Sequence, residues 1–305
     1  MRILVLRGGA IGDFIVTLPM LGLLRTRWPD ADIELVGNAR AAELGRRGGY
    51  LNAVHSQDEG RWGALMRDGL LPQELTRWLA AFELIVSFWP DPDAALARRF
   101  PLHPGQRYLS ADASPTLAPA ARHFCEVLRP LGLSTADFRS RLPAGDTALS
   151  LRPAGVGNAP GGARGPIAIH PGSGSARKNW PLARWRDLIA RLGDPILIVL
   201  GEAEREWRDC ESWLRADGAA GRPIEVSRDL PLPELAATLR GCRLFVGHDS
   251  GLSHLAAAVR TPCVLLFGPT DPALWAPPGE QVRVIRRGDN LEAIGVDEVA
   301  AAVNA

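Results

Sequence analysis

The stretch Met1-Arg2-Ile3-Leu4-Val5-Leu6-Arg7-Gly8-Gly9-Ala10-Ile11-Gly12-Asp13 decides the fold. Ile3 to Leu6 is an unbroken apolar run, which predicts a strand buried on both faces of a parallel sheet. The glycines of residues 8–13 make a tight turn. An apolar-periodic helix follows from about 14 to 28, and Pro29 ends it. Residues 32–37, DIELVG, read as the next strand. Strand, glycine turn, helix and strand make a βαβ unit.

The unit recurs outward from there. A periodic helix near 72–81 leads into a strand at 83–88, and residues 118–131 read as helix. Residues 141–166 are rich in Pro and Gly and lose all periodicity, as an interdomain linker with its flanking loops does. The second half then starts afresh. Strands are expected at 166–171, 196–200, 224–226, 243–247, 263–268 and 281–285. Helices are expected at 182–192, 203–216, 233–240 and 251–258. The predicted fold class is α/β: two Rossmann-like, doubly wound domains facing a central cleft at the C-terminal ends of their strands. The expected boundaries are 1–152 for the N-terminal domain, 153–165 for the linker and 166–290 for the C-terminal domain. Residues 291–305 form a terminal helix for which fold analogy suggests a return to the N-terminal domain.

Composition agrees with this plan. A chain of 305 residues suits two domains of about 150 residues each, and 46% hydrophobic residues can fill their cores. The formal net charge is +1, which argues against a nucleic-acid coat. Cys125, Cys210, Cys242 and Cys263 form no CxxC pair and read as reduced, partly buried thiols. The N-terminal apolar run is too short for a signal peptide, and nothing resembles a span of about 18 apolar residues. The expected location is the cytoplasm, with peripheral contact at the inner face of the inner membrane if the acceptor is a lipid.

Four segments carry polar groups to strand ends. In the first, GGAIGD, Asp13 stands at a strand–helix junction. It reads either as a general base toward an acceptor hydroxyl or as a first-turn cap. The spacing is neither a dinucleotide fingerprint nor an ATPase phosphate loop. The second, His170 to Pro181, offers Ser hydroxyls, backbone N–H groups and Lys178 to a diphosphate, or is a plain surface loop. The third, Gly247 to His254, opens a helix whose first N–H groups at Ser250 and Gly251 favour a phosphate. Asp249 there suits sugar hydroxyls, and His254 either orients the loop or reaches the phosphate. The fourth, Phe267 to Pro277, builds a rigid wall. His170, His248 and His254 lack the spacing of a metal site.

Taken in order, GD…TLP, HPGSGS…KNWP, DSGLSHLAA and FGPTDP…W resemble the bacterial heptosyltransferases, glycosyltransferase family nine. The resemblance runs from Arg2 to about Pro278 and implies a GT-B, inverting glycosyltransferase that uses no metal and no cofactor. The donor is then a nucleotide-diphosphate sugar, ADP-heptose in this family, and the acceptor a cell-envelope saccharide such as the lipopolysaccharide core. It implies Asp13 as the base, with Arg7 and Gly12 beside the acceptor or leaving group. It matches Ser173, Gly174 and Lys178 to the diphosphate loop, with Ser250, Gly251 and His254 opposite. Asp249 matches the donor-sugar contact, and Leu230 the adenine pocket. Glu204 is the choice for ribose among Glu202, Glu204 and Glu206. Three alternatives remain: a two-lobed transferase or an epimerase using a UDP, GDP or dTDP sugar, or a non-catalytic nucleotide-sugar-binding protein.

Overall fold

The structure, a computed structural model, describes residues 1–67, 69–143, 165–201, 204 and 223–305. The chain divides into two compact units, Met1–Leu142 and Pro143–Ala305.

The first unit is built on a five-stranded parallel sheet of order β3-β2-β1-β4-β5. Its strands are β1 (Arg2–Arg7), β2 (Asp32–Gly37), β3 (Ala53–Ser56), β4 (Leu84–Ser87) and β5 (Arg107–Ser110). Ile3, Leu4, Val5 and Leu6 are all fully buried at its centre. Burial of each such side chain contributes about 1.5–3 kcal/mol, which is why the run without alternation predicts a central strand. Helices α1 (Ile11–Ile15), α2 (Leu18–Arg27), α3 (Ala39–Arg47), α4 (Gln73–Ala80) and α5 (Ala120–Glu126) lie between the strands in sequence.

Local chemistry alters three expectations. The single helix expected at 14–28 is two, α1 and α2. Pro19 lacks the N–H that would bond to the Ile15 carbonyl, so the ladder breaks there. The Thr17 hydroxyl donates to the Phe14 carbonyl at 2.5 Å and closes the gap. Helix α3 is absent from the sequence reading, although Asn38 caps it by accepting from Ala41 N at 3.1 Å and Arg46 and Arg47 fill its last turn. Strands β3 and β5 are also additions. They are half-exposed edge strands with no fully buried residue, so they lack an apolar run to find.

The second unit carries a six-stranded parallel sheet of order β11-β10-β9-β6-β7-β8. Its strands are β6 (Ile167–Ile169), β7 (Ile196–Leu200), β8 (Ile224–Arg228), β9 (Leu244–His248), β10 (Cys263–Phe267) and β11 (Val282–Arg286). Renumbered within the unit, this is the order 3-2-1-4-5-6 of the dinucleotide-binding folds, with the direction of winding reversing between β6 and β9. The described helices are α6 (Leu182–Arg191), α7 (Leu232–Arg240), α8 (Gly251–Ala258), the single turn α9 (Pro272–Trp275) and α10 (Val296–Asn304).

Trp180 and Trp185 anchor the second core, edge to face at 5.1 Å. Val299, Ala302 and Val303 of α10 belong to the same core, so the terminal helix buries its apolar stripe within this unit. Most of the linker expected at 153–165 lies outside the described residues, as does the helix expected at 203–216 apart from Glu204. Every described strand pairing is parallel, so the loops that follow the strands leave both sheets at one end, the C-terminal strand ends where α/β sheets bind ligands.

Candidate active site

In the first unit the site begins where β1 ends. Gly9 has φ +105°, a left-handed conformation that a Cβ would strain, and that Cβ would also lie 2.6 Å from Asp13 Oδ2. The turn therefore brings the backbone hard against Asp13. Oδ2 accepts the Ala10 N–H at 2.8 Å, as a helix-capping carboxylate does. Oδ1 accepts from Arg7 Nη2 at 3.0 Å.

Arg7 is placed to hold this carboxylate. Its Nε donates to the Asp13 carbonyl at 3.2 Å and its Nη1 to the Ala113 carbonyl at 3.3 Å. Its guanidinium lies over the Phe124 ring at 4.5 Å, and the residue is only 3% exposed. Burial pulls its pKa below the ordinary arginine value, and Asp13 opposes that pull. Asp13 itself keeps 34% of its side chain exposed. A carboxylate has about four lone-pair sites, so the two bonds leave it room to accept a further proton. The geometry is that of a first-turn cap, and the same bonds fix the direction in which the carboxylate points. Gly12, the second residue of α1, accepts Val16 N–H through its carbonyl at 3.0 Å.

In the second unit the expected segments converge on the reversal between β6 and β9. The loop after β6 runs from His170 to Pro181, and the β9–α8 junction faces it. Lys178 Nζ donates to Asp249 Oδ2 at 2.7 Å and ties the two together. The pair is largely shielded, with side chains 31% and 9% exposed. The Ser173 hydroxyl lies 2.7 Å from Asn179 Oδ1 and 2.8 Å from the Ser175 carbonyl, and accepts from Ser175 N at 3.2 Å. The loop is therefore folded on itself. Ser250 is the N-cap of α8, its Oγ 3.3 Å from Ser253 Oγ. The first-turn N–H groups of a helix have no intrahelical acceptor, so Gly251 and Leu252 present donors beside Asp249. His254 is buried in the same turn, only 7% exposed.

Other positions fall at the same sheet edge. Glu204 is 1% exposed and accepts from Gly201 N at 2.8 Å. Its carboxylate packs against Gly172, where a Cβ would stand 1.9 Å from Oε1. Glu202 and Glu206 lie outside the described residues. Leu230 is half-buried between β8 and α7. Asp271 of the fourth segment caps α9 by accepting from Ala273 N at 3.0 Å. Cys125, Cys242 and Cys263 are buried, which pushes each thiol up to about 12, while Cys210 lies outside the described residues.

The sequence reading leaves one residue without a role. His248 ends β9 and is fully buried. Its Nε2 accepts the Trp180 N–H at 2.8 Å, which leaves the proton on Nδ1, 3.1 Å from the Gly172 carbonyl. Desolvation pushes its pKa down to about 3. His170 is likewise buried and lowered, with Nδ1 2.9 Å from the Val199 carbonyl. The signal for His248 was a histidine directly before Asp249 at the end of an apolar strand.

Among the described residues no three His, Cys, Asp or Glu are grouped so as to hold a metal ion. Among them, too, no helix is long and apolar enough to cross a membrane.

The family profile described as Glycosyltransferase family 9 (heptosyltransferase) matches residues 116–300, more than half of the chain. Lipopolysaccharide heptosyltransferase 1 of Salmonella typhimurium is 36% identical over 97 residues, 32% of this chain and 30% of that protein. That match spans under a third of the relative's length. The Pseudomonas aeruginosa protein of the same name is 28% identical over 293 residues, 89% of this chain and 80% of its own. Among solved structures, the E. coli heptosyltransferase WaaC with ADP superposes with a TM-score of 0.73 at 21% identity, covering 100% of this chain and 99% of that one. That likeness shows the GT-B fold.

Proposed function

The chain belongs to glycosyltransferase family 9, and from that premise we propose that it is an inverting glycosyltransferase. In this reading it moves a heptose from ADP-heptose to a hydroxyl of a cell-envelope saccharide such as the lipopolysaccharide core. The observation that carries it is the Lys178–Asp249 bridge at 2.7 Å, set at the winding reversal of the second sheet beside the first turn of α8. A cation and helix-start donors there suit a diphosphate, and a neighbouring carboxylate suits sugar hydroxyls.

Asp13 acts as the general base. It takes the acceptor proton as the hydroxyl oxygen attacks the anomeric carbon. The bond from that carbon to the diphosphate oxygen breaks, and the nucleoside diphosphate leaves. Lys178 and the N–H groups of Ser173, Gly174, Ser250 and Gly251 take up the charge that grows on it. Those groups can supply the stabilisation without a metal. Arg7 keeps Asp13 oriented. Leu230 lines the adenine pocket, and Glu204 reaches ribose by leaving the Gly201 N–H. A lipid-linked acceptor places the enzyme in the cytoplasm, peripheral to the inner face of the inner membrane.

The test is calorimetry of the whole chain with ADP, UDP, GDP, dTDP and ADP-heptose in EDTA. Selective binding of ADP and ADP-heptose is expected. Preference for another base would keep the transferase and replace the donor. Binding of none would favour a non-catalytic protein.

A further inference from the structure

We propose that His248 is a positioning residue that latches the diphosphate loop, holding its entry at Gly172 and its exit at Trp180 with one imidazole. The inference rests on reading Ser173 to Lys178 as that loop.

The geometry leaves His248 one arrangement. The Trp180 N–H points at Nε2, so Nε2 must carry a lone pair. The proton then sits on Nδ1 and is donated to the Gly172 carbonyl. A protonated ring would set a second N–H against that of Trp180. Full burial prevents it, because desolvation disfavours the charged form. The ring is packed edge-on by Trp185 at 5.3 Å, so it does not turn over freely.

Both ends of the loop are fixed by other contacts as well. At the entry, Gly172 packs against the Glu204 carboxylate while its carbonyl meets His248. At the exit, Trp180 Nε1 donates to the Ile294 carbonyl at 3.0 Å. Between them, Lys178 N donates to the Ser175 carbonyl at 2.9 Å and Asn179 N to the Ala176 carbonyl at 3.1 Å. Lys178 reaches Asp249, the residue next to His248, so one short piece of chain sets the loop's backbone and its cation together. A loop held before the ligand arrives loses less entropy on binding. His248 thus contributes to donor affinity without touching the donor.

The test compares the wild type with His248→Phe and His248→Gln. Phenylalanine keeps the ring and strands both the Trp180 N–H and the Gly172 carbonyl. Glutamine restores an acceptor in reach of Trp180. Hydrogen exchange of the unliganded proteins should show residues 172–180 exchanging at least ten-fold faster in His248→Phe, with β10 unchanged and part of the protection regained in His248→Gln. The dissociation constant for ADP, used as the probe, should rise by roughly ten-fold or more in His248→Phe, as expected for two buried groups left unpaired. With sugar donor the change should fall on KM, and kcat should stay within about three-fold.

Unchanged exchange across 172–180 would overturn the latch. So would faster exchange with unchanged ADP affinity, or equal losses in kcat and KM with no rescue by glutamine. If His248→Phe fails to fold, His248→Gln is read alone: faster exchange across 172–180 together with weaker ADP binding upholds the latch, and wild-type values for either overturn it. Failure of the wild type to bind ADP would instead strike the donor assignment, and the exchange result would stand apart from it.

Discussion

Asp13 and the loop after β6 stand at equivalent places in two sheets of like strand order, yet they are held in opposite ways. Asp13 is one side chain, a third exposed, fixed by Arg7 and one backbone N–H. The β6 loop is a folded stretch of backbone closed by His248, Asn179 and the Lys178–Asp249 pair. A proton acceptor needs access and a defined direction, and a single carboxylate supplies both. A diphosphate needs several donors at once, and only ordered backbone supplies them without a large entropic cost. The difference teaches that the group in the first unit should fail at one atom, whereas the loop in the second should weaken by degrees.

The sharpest break in that comparison comes from Asp13→Asn. The amide keeps the shape but has no basicity, so kcat should fall by about 10³-fold, within the range for losing a general base. ADP affinity should match the wild type by calorimetry. Transfer at the normal rate would remove Asp13 as the base.

Lys178→Met should show the graded loss. We expect kcat/KM to fall by about 10²-fold, as for a lost electrostatic contact to the leaving group. The variant also leaves Asp249 shielded without its partner, at a stability cost of about 1 kcal/mol after allowing for solvent at Lys178. Adding Asp249→Asn should restore the melting temperature and leave turnover low. Recovery of both would mean that Lys178 only neutralises Asp249.

The smallest effect is in pH. Unfolded, His248 binds a proton below about pH 6.5, whereas folded it stays neutral down to about 3. Its contribution is therefore complete above about 6.5 and drains away as pH falls toward 3, and His170 acts in the same direction. The slope should be about 1.4 kcal/mol per pH unit from His248 in that window. Chemical denaturation at pH 7, 5.5 and 4 should show a flatter decline in His248→Gln. Parallel curves would contradict the buried neutral ring.

What sequence reasoning reached follows the same division. Strands with apolar runs, such as Ile3–Leu6 and Ile196–Leu200, were legible because burial on both faces leaves no other pattern. Edge strands β3 and β5 were not, because AVHS and RYLS form no apolar run and no clear alternation, unlike Ile224-Glu225-Val226 at the edge strand β8. Asp13, Lys178 and Asp249 were legible as polar groups at strand ends. The pairing of Lys178 with Asp249 was hidden, since the two lie 71 positions apart and meet only through the β6–β9 reversal. The second part of Arg7's role was hidden too: the family likeness put it near the substrate, and the fold buries it beneath Asp13. His248 gave a weak signal, because its value lies in both ring nitrogens meeting backbone from two distant points.

The strand order shared by the two sheets has a genealogical side. The second unit carries its loop, its latch and its aromatic core within its own residues, and the first carries Arg7 and Asp13 within its own. Selection can therefore act on the two halves as separate heirlooms. On the proposed reading, a lineage that needs a new acceptor can recut loops of the first unit around an Asp13 it leaves alone, while the second unit passes down unaltered.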